Sequence, residues 1–496
     1  MSGGGEGGSD HADPRGFEQR GLDSSIIAIP LLERLDEHPR RRHEMIVDLS
    51  LVHPGGLEAA RERLHELIGE VRNGPLEEVV DIAKGRYTPQ YAFVRLTRSE
   101  VRRLVDADLR AGGGERVIHR IWPDFEVEPL LTNSVATIKG DAAHVAFSAR
   151  GEGIVWAVAD TGIQADHPHF TLHDNLAVDQ PVAHMDFTGD TVTAVETPSD
   201  PNGHGTHVAG IIAGEYDPSS AGTELWASRA QRTPQNDTTH DRWRLGQRIC
   251  GVAPNTKLVS LRVLDESGDG RVSNLIAAAG YILQVNSYGR RNRIHGVNMS
   301  VGYGFDPEWF ACGQSPLCVE VNRLVRAGVS VVVAAGNTGY WRRGSTESNL
   351  NAGLGLTIND PGNAEYAVTV GATHRSEPHI YGVSYFSSKG PTGDGRCKPD
   401  LVAPGEKVLS CAAGSSQSEV GGSAGGEVHY REMSGTSMAA PHVSGAIAAF
   451  LSIRNEFIGR PERVKQVLLD SATDLGREPY FQGRGLVDLM RAIQSI

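Results

Sequence analysis

The stretch GTSMAAPHVSGAIAAFLS, residues 435–452, consists mainly of small and apolar residues, which suits a buried helix carrying the Ser437 hydroxyl at its N-terminus. Runs of similar character read as strands covered on both faces: IVWAVAD ending at Asp160, LVSLRVL at Leu264, GVNMS at Ser300, VSVVVAAGN at Asn337 and YAVTVGA at Ala372. Helical stretches between them predict an α/β fold, a mostly parallel sheet with helices on both faces. Ligands of such sheets bind beyond the carboxyl ends of the strands, where Asp160, Ser300 and Asn337 stand.

The chain carries the parts of a nucleophile system in dispersed pieces. Asp160 lies in VADTGI, His204 in NGHGTHVAG and Ser437 in GTSMAAPHVSG. A hydroxyl is a poor nucleophile near neutral pH until an imidazole takes its proton, and the imidazole needs a buried carboxylate to fix its tautomer. The order acid, base, nucleophile is that of subtilisin. AAGN ending at Asn337, PGNAEYAVTVGAT from Pro361, FSSKGP from Phe386 and KPDLVAPG from Lys398 extend the likeness. Over roughly residues 132–496 the chain resembles a subtilisin-like serine peptidase.

The resemblance implies endopeptidase activity on protein or peptide substrates, with Ser437 as nucleophile, His204 as base and Asp160 as its orienting acid. Asn337 and the Ser437 N–H would hold the oxyanion. Outside that frame, a GTS serine is a common helix cap and an asparagine after a strand a common turn residue. By the same resemblance Gly268 and Gly270 form one edge of the substrate track, Ser300, Val301 and Gly302 the other, and Ala334 and Gly336 line the first specificity pocket. Asp269, between the two glycines, is read either as a preference for basic residues before the cut or as a solvated carboxylate. His207 is read as structural.

The chain has 496 residues, enough for two or three domains, and 39% are hydrophobic, as in an ordinary globular protein. A net charge of −13 argues against general affinity for nucleic acid or anionic membrane, and Arg40, Arg41 and Arg42 read as a solvated linker. No apolar run reaches the length of a membrane span, and the opening MSGGGEGGSDHADPRG lacks the pattern of a secretory signal. Five cysteines in so long a chain fit a reducing compartment, so Cys312 and Cys318 are expected to be thiols, the alternative being a bridge closing a small surface loop in an exported protein; zinc is not expected and a cytoplasmic location is.

Residues 1–43 are expected to form a disordered extension, the first 25 being rich in Gly, Ser and Asp. From Glu44, strand EMIVDLS precedes an amphipathic helix with Leu57, Ala60, Leu64, Leu67, Ile68 and Val71 on one face. Strand YAFVRL, a capping box at Thr97 and Glu100, and strand RVIHRIW follow. This small α+β domain, 44–131, resembles in position and element order the inhibitory propeptide of the family, which would make it an intramolecular inhibitor. The bland alternative is an unrelated α+β domain. Self-cleavage is expected near Leu130 to Asn133, with the segment from Trp122 extended through the cleft.

The family often holds calcium with an aspartate after the His-Pro pair that follows the catalytic aspartate. Here His169 follows His167 and Pro168, a poor oxygen-ligand substitute, so that site reads as altered and no cofactor is required. Of two insertions, that at 215–248 reads as a surface excursion, though loops of this length are often functional, and that at 338–360 as bordering the first pocket. Arg342 and Arg343, in the second, would favour acidic side chains in the first pocket. Two rival readings are a cleft plugged permanently by the N-terminal domain, serving as a binding or regulatory module, and a peptidase dedicated to activating one cellular protein.

Overall fold

The structure, a computed structural model, describes residues 26–72, 75–85, 88–111, 115–124, 133–219, 224–232, 238–304, 311–343, 350–421 and 428–496. The chain divides into two compact units, Met1–Pro129 and Leu130–Ile496.

The first unit contains α1 (Ile29–Glu37), β1 (His43–Leu49), α2 (Gly56–Arg72), β2 (Tyr91–Leu96), α3 (Arg98–Arg110) and β3 (Ile118–Pro123). Its sheet is antiparallel in the order β2-β1-β3. Alternation along β1 buries Met45, Val47 and Leu49, which share one core with Leu64, Leu67 and Ile68 of α2 and Val101 and Leu104 of α3. A capping box opens α3: the Glu100 carboxylate accepts from Thr97 N at 2.8 Å, and Thr97 Oγ1 accepts from Glu100 N at 3.4 Å.

The expectation of disorder across 1–43 fails at α1. Leu31 and Leu35 lie four apart on one face of α1, and both, with Ile27 just ahead of the helix, are buried in the core of this unit. Pro30 at the start of α1 suits its first turn. Residues 1–25 and the expected cleavage segment up to Thr132 lie outside the described residues.

The second unit is built on β4 (Val155–Asp160), β5 (His184–Asp186), β6 (Thr193–Val195), β7 (Lys257–Arg262), β8 (Gly296–Met299), β9 (Ser330–Ala334), β10 (Val368–His374) and β11 (Leu401–Glu406). They form one sheet in the order β11-β10-β9-β8-β4-β7-β5-β6, parallel except for β6 at the edge. Neighbouring residues of a strand divide between two cores, as both-face burial requires. Trp156, Val158 and Val332 face one core with α4 (His204–Ile212) and α7 (Thr436–Ile453), while Ala157, Ala159 and Val333 face the other with α5 (Val272–Val285) and α6 (Pro316–Arg326). After β4 the chain builds the β7 side of the sheet and then crosses to β8, so β4 and β8 flank a switch in strand order, where a crevice opens at the strand ends.

Among the described residues one helix, α7, is long and apolar enough to cross a membrane, and it is largely buried inside the protein. All five cysteines are unpaired.

The first insertion is more than a surface excursion. Strands Trp226–Arg232 and Thr238–Arg244 form a hairpin whose first strand pairs in parallel with Tyr430–Met433, itself paired with Val408–Cys411. Glu215–Tyr216 pairs with Ile249–Cys250 at the base, where the buried Glu215 carboxylate meets Arg150 at 2.5 Å, His173 at 3.0 Å and Arg248. The second insertion is a hairpin, Tyr340–Arg343 with Leu350–Gly353. The side chains of Arg342 and Arg343 lie outside the described residues.

Candidate active site

Asp160 ends β4 and His204 opens α4. Gly205 lets the two elements meet: a Cβ there would stand 2.2 Å from Gly162 O and 3.1 Å from Asp160 Cβ. The His204 ring donates from Nδ1 to Asp160 Oδ1 at 2.7 Å. An ionised carboxylate only accepts, so Nδ1 carries the proton and Nε2 remains a base. Asp160 is fully buried and also accepts from Thr161 N at 2.8 Å, whereas the His204 side chain keeps 23% of its exposure.

A second carboxylate, Asp200, braces this pair from behind. It is buried and accepts from Thr161 Oγ1 and Gly203 N, each at 2.8 Å, and from Thr206 N and Oγ1 at 2.8 and 2.6 Å. Thr161 Oγ1 accepts in turn from Gly205 N at 2.9 Å. Thus Asp200 ties the loop after β4 to the first turn of α4, where a helix welcomes negative charge. Burial raises its pKa despite the donors from Thr206, Gly203 and Thr161. For His204, burial opposes the charged ring, but the charge and hydrogen bond of Asp160, with Asp200 beyond, hold its pKa above the ordinary imidazole value.

Ser437 lies in the first turn of α7, where its N–H has no carbonyl of the helix available. Asn337 sits just past β9, and its Oδ1 accepts from Thr436 N at 2.9 Å and Thr436 Oγ1 at 3.1 Å. Because a backbone N–H only donates, the carbonyl side of this amide is assigned and its NH2 is left for another acceptor. The Ser437 hydroxyl donates to Ser300 O at 3.0 Å. With the hydroxyl turned to Ser300 O, no hydrogen bond joins His204 to Ser437.

A cleft of about 650 Å³ unites these groups. His204, Asn337 and Ser437 line it, as do Gly268 and Gly270 on one side, Ser300, Val301 and Gly302 on another, and Ala334 and Gly336. Asp160 lies behind His204, outside the lining. Asp269 also borders the cleft. Thr338 and Asn359 bring the base of the second insertion to its wall.

Sequence reasoning passed over Asp200, Asn202, Tyr303 and Asn359. Asn202 accepts from His204 N at 3.2 Å and donates to Glu266 O at 3.1 Å, joining the histidine loop to the glycine edge. Aspartate and asparagine clustered in SDPNG before His204 were a signal, though a plain turn reads the same way. His207 is buried and bonded to Arg431 O at 3.1 Å, and burial lowers its pKa to about 3. His169 is also buried, bonded to Tyr430 OH at 3.1 Å and Gly210 O at 3.2 Å, so both ring nitrogens are engaged and neither offers calcium an oxygen. Among the described residues no group of three or more His, Cys, Asp or Glu is placed to hold a metal ion.

This fold and cleft are those of a subtilisin-like serine peptidase. The model of the subtilase family matches residues 151–485, and the chain belongs to that family. It is 31% identical to serine protease AprX of Bacillus subtilis (strain 168) over 394 residues, which cover 76% of this chain and 74% of that protein. To the intracellular serine protease of Paenibacillus polymyxa it is 30% identical over 345 residues, covering 68% and 80% of the two chains. Subtilisin E of Bacillus subtilis (strain 168) matches at 25% identity, with 84% and 86% covered. The chain is a serine endopeptidase of this family, and its substrates are proteins or peptides.

Proposed function

We propose that the enzyme cleaves internal peptide bonds through an acyl-enzyme formed on Ser437. The Ser437 hydroxyl swings from Ser300 O to His204 and loses its proton to Nε2 as Oγ attacks the scissile carbonyl. Asp160 steadies the imidazolium so formed, and the Asn337 amide with the Ser437 N–H receives the charge on the carbonyl oxygen. His204 then protonates the leaving amine, and water, activated by the same imidazole, releases the acyl group. The observation that carries the reading is the 2.7 Å bond from His204 to buried Asp160 at the wall of the cleft that Ser437 also lines. Fluorophosphonate treatment followed by digestion and mass spectrometry tests it: the adduct is expected on Ser437, and its absence from unblocked protein with the native fold would defeat the mechanism.

The small N-terminal unit acts, on this reading, as an inhibitor that the enzyme cuts away near Leu130 to Asn133. Support comes from its α+β element order and its position directly ahead of the peptidase unit. Wild type is expected to yield a new N-terminus near residue 131 and Ser437→Ala to remain full length. Equal intact masses would remove self-processing. Action inside the cell is supported by five unpaired cysteines and by the likeness to a relative named as intracellular.

A further inference from the structure

α7 contains a proline, Pro441, four residues after Ser437. In an α-helix the carbonyl of residue 437 would accept from the N–H of residue 441, and proline has none. The carbonyl of the nucleophile residue itself is therefore orphaned in a buried helix.

Ser300 supplies the missing donor, its Oγ lying 2.8 Å from Ser437 O. Behind Ser300 stands Asn298 of β8, which donates from Nδ2 to Ser300 Oγ at 2.8 Å, and behind that Ser444 of α7, which donates from Oγ to Asn298 Oδ1 at 2.9 Å. Asn298 and Ser444 are fully buried and Ser300 nearly so. The direction of this chain is fixed from one end. Ser437 O only accepts, so the single hydroxyl proton of Ser300 goes there and Ser300 must receive from the NH2 of Asn298. The amide carbonyl is thereby turned to Ser444, whose hydroxyl must donate. Aligned donors of this kind polarise one another in a dry interior.

We propose that Ser444, Asn298 and Ser300 form a positioning relay that restores the hydrogen bond removed by Pro441 and holds the first turn of α7 where Ser437 can attack. The relay is neutral, so it anchors the backbone of the nucleophile without placing a charge beside the oxyanion. It ends on the carbonyl of Ser437 and leaves the hydroxyl free to turn. The inference rests on Ser437 being the nucleophile.

The test uses full-length protein, a fluorophosphonate probe and the separation of its limiting inactivation rate from its apparent binding constant. Ser300→Ala is expected to lower the limiting rate at least tenfold with the binding constant within about twofold, and Ser300→Thr, which keeps the hydroxyl, to restore most of the rate. Asn298→Leu is expected to lower it at least threefold alone and to add nothing in the Ser300→Ala background, because Asn298 acts only through Ser300. A merely structural role predicts additive losses that follow the melting temperature. An unchanged rate in Ser300→Ala, a loss carried by the binding constant, or additivity in the double variant would overturn the relay. Should Ser300→Ala lack a cooperative melting transition, Asn298→Leu decides alone, and an unchanged limiting rate there refutes the proposal. Failure of wild type to label at Ser437 would instead sink the catalytic reading.

Discussion

The two halves of the cleft are braced by opposite means. Around His204 the supports are carboxylates: Asp160 touches the ring, and Asp200 gathers four hydrogen bonds from the loop and helix that carry it. Around Ser437 they are neutral, an amide at Asn337 and a hydroxyl–amide–hydroxyl chain through Ser300, Asn298 and Ser444. On the proposed mechanism the difference follows the charge each half carries in the transition state. An imidazolium gains from buried negative charge, whereas an oxyanion is stabilised by dipoles already aimed at it and would be repelled by a carboxylate.

If the proposed mechanism holds, this contrast breaks most severely at Ser437. Ser437→Ala is expected to reduce peptide turnover by about 10⁶-fold without loss of fold, as read by product formation and circular dichroism. Asp160→Asn comes next, at about 10⁴-fold, since a neutral amide no longer holds the ring in the reactive tautomer. Its acid limb should also move to lower pH: the wild-type limb marks the raised pKa of His204, below which the ring is protonated and cannot act as base, and that elevation comes from Asp160. An unmoved limb would show that another group sets it. Asn337→Ala, on the neutral half, should cost about 10² to 10³ in turnover with little change in substrate binding.

Smaller effects sharpen the comparison. Asp200→Asn forces an NH2 against donors and should destabilise the protein by about 1 to 3 kcal/mol, read by urea denaturation. The buried histidines set a further pH dependence. Burial lowers His169 and His207 to about 3 and His144, His167 and His442 to about 4, so these rings stay neutral in the folded state while the unfolded chain takes up protons below about pH 6.5. Stability from this source is complete above pH 6.5 and falls as pH drops toward 4, by at most about 1.4 kcal/mol per pH unit for each ring. Denaturant midpoints that do not change between pH 7.5 and 5 would contradict it.

The parallel sheet was legible because both-face burial writes itself as continuous apolar runs, and β4, β8 and β9 fall where VWAVAD, GVNM and SVVVA stand. Asp160, His204, Asn337 and Ser437 could be picked out by the resemblance of their motifs to those of subtilisin-like peptidases, since a serine in GTS or an asparagine after a strand, taken alone, reads as a cap or a turn. Composition misled at residues 26–43, where the polar stretch before them hid the four-residue spacing of Leu31 and Leu35 and the bridge from Ile27 to Ile121. The insertion at 215–248 was equally opaque, because the partner of its first strand lies some two hundred residues away at Tyr430 and no local pattern marks that pairing.

Local chemistry, then, carried the strands, the buried helix and the residue types able to do acyl transfer, because periodicity and reactive groups are properties of short segments. Which groups face one another is a matter of long-range closure. The meeting of Asp160 with His204, the bracing by Asp200 and the link from Ser444 to Ser437 through β8 depend on how far apart packed elements come to rest. That distance is set by the volume of every side chain between them, and no single segment contains it.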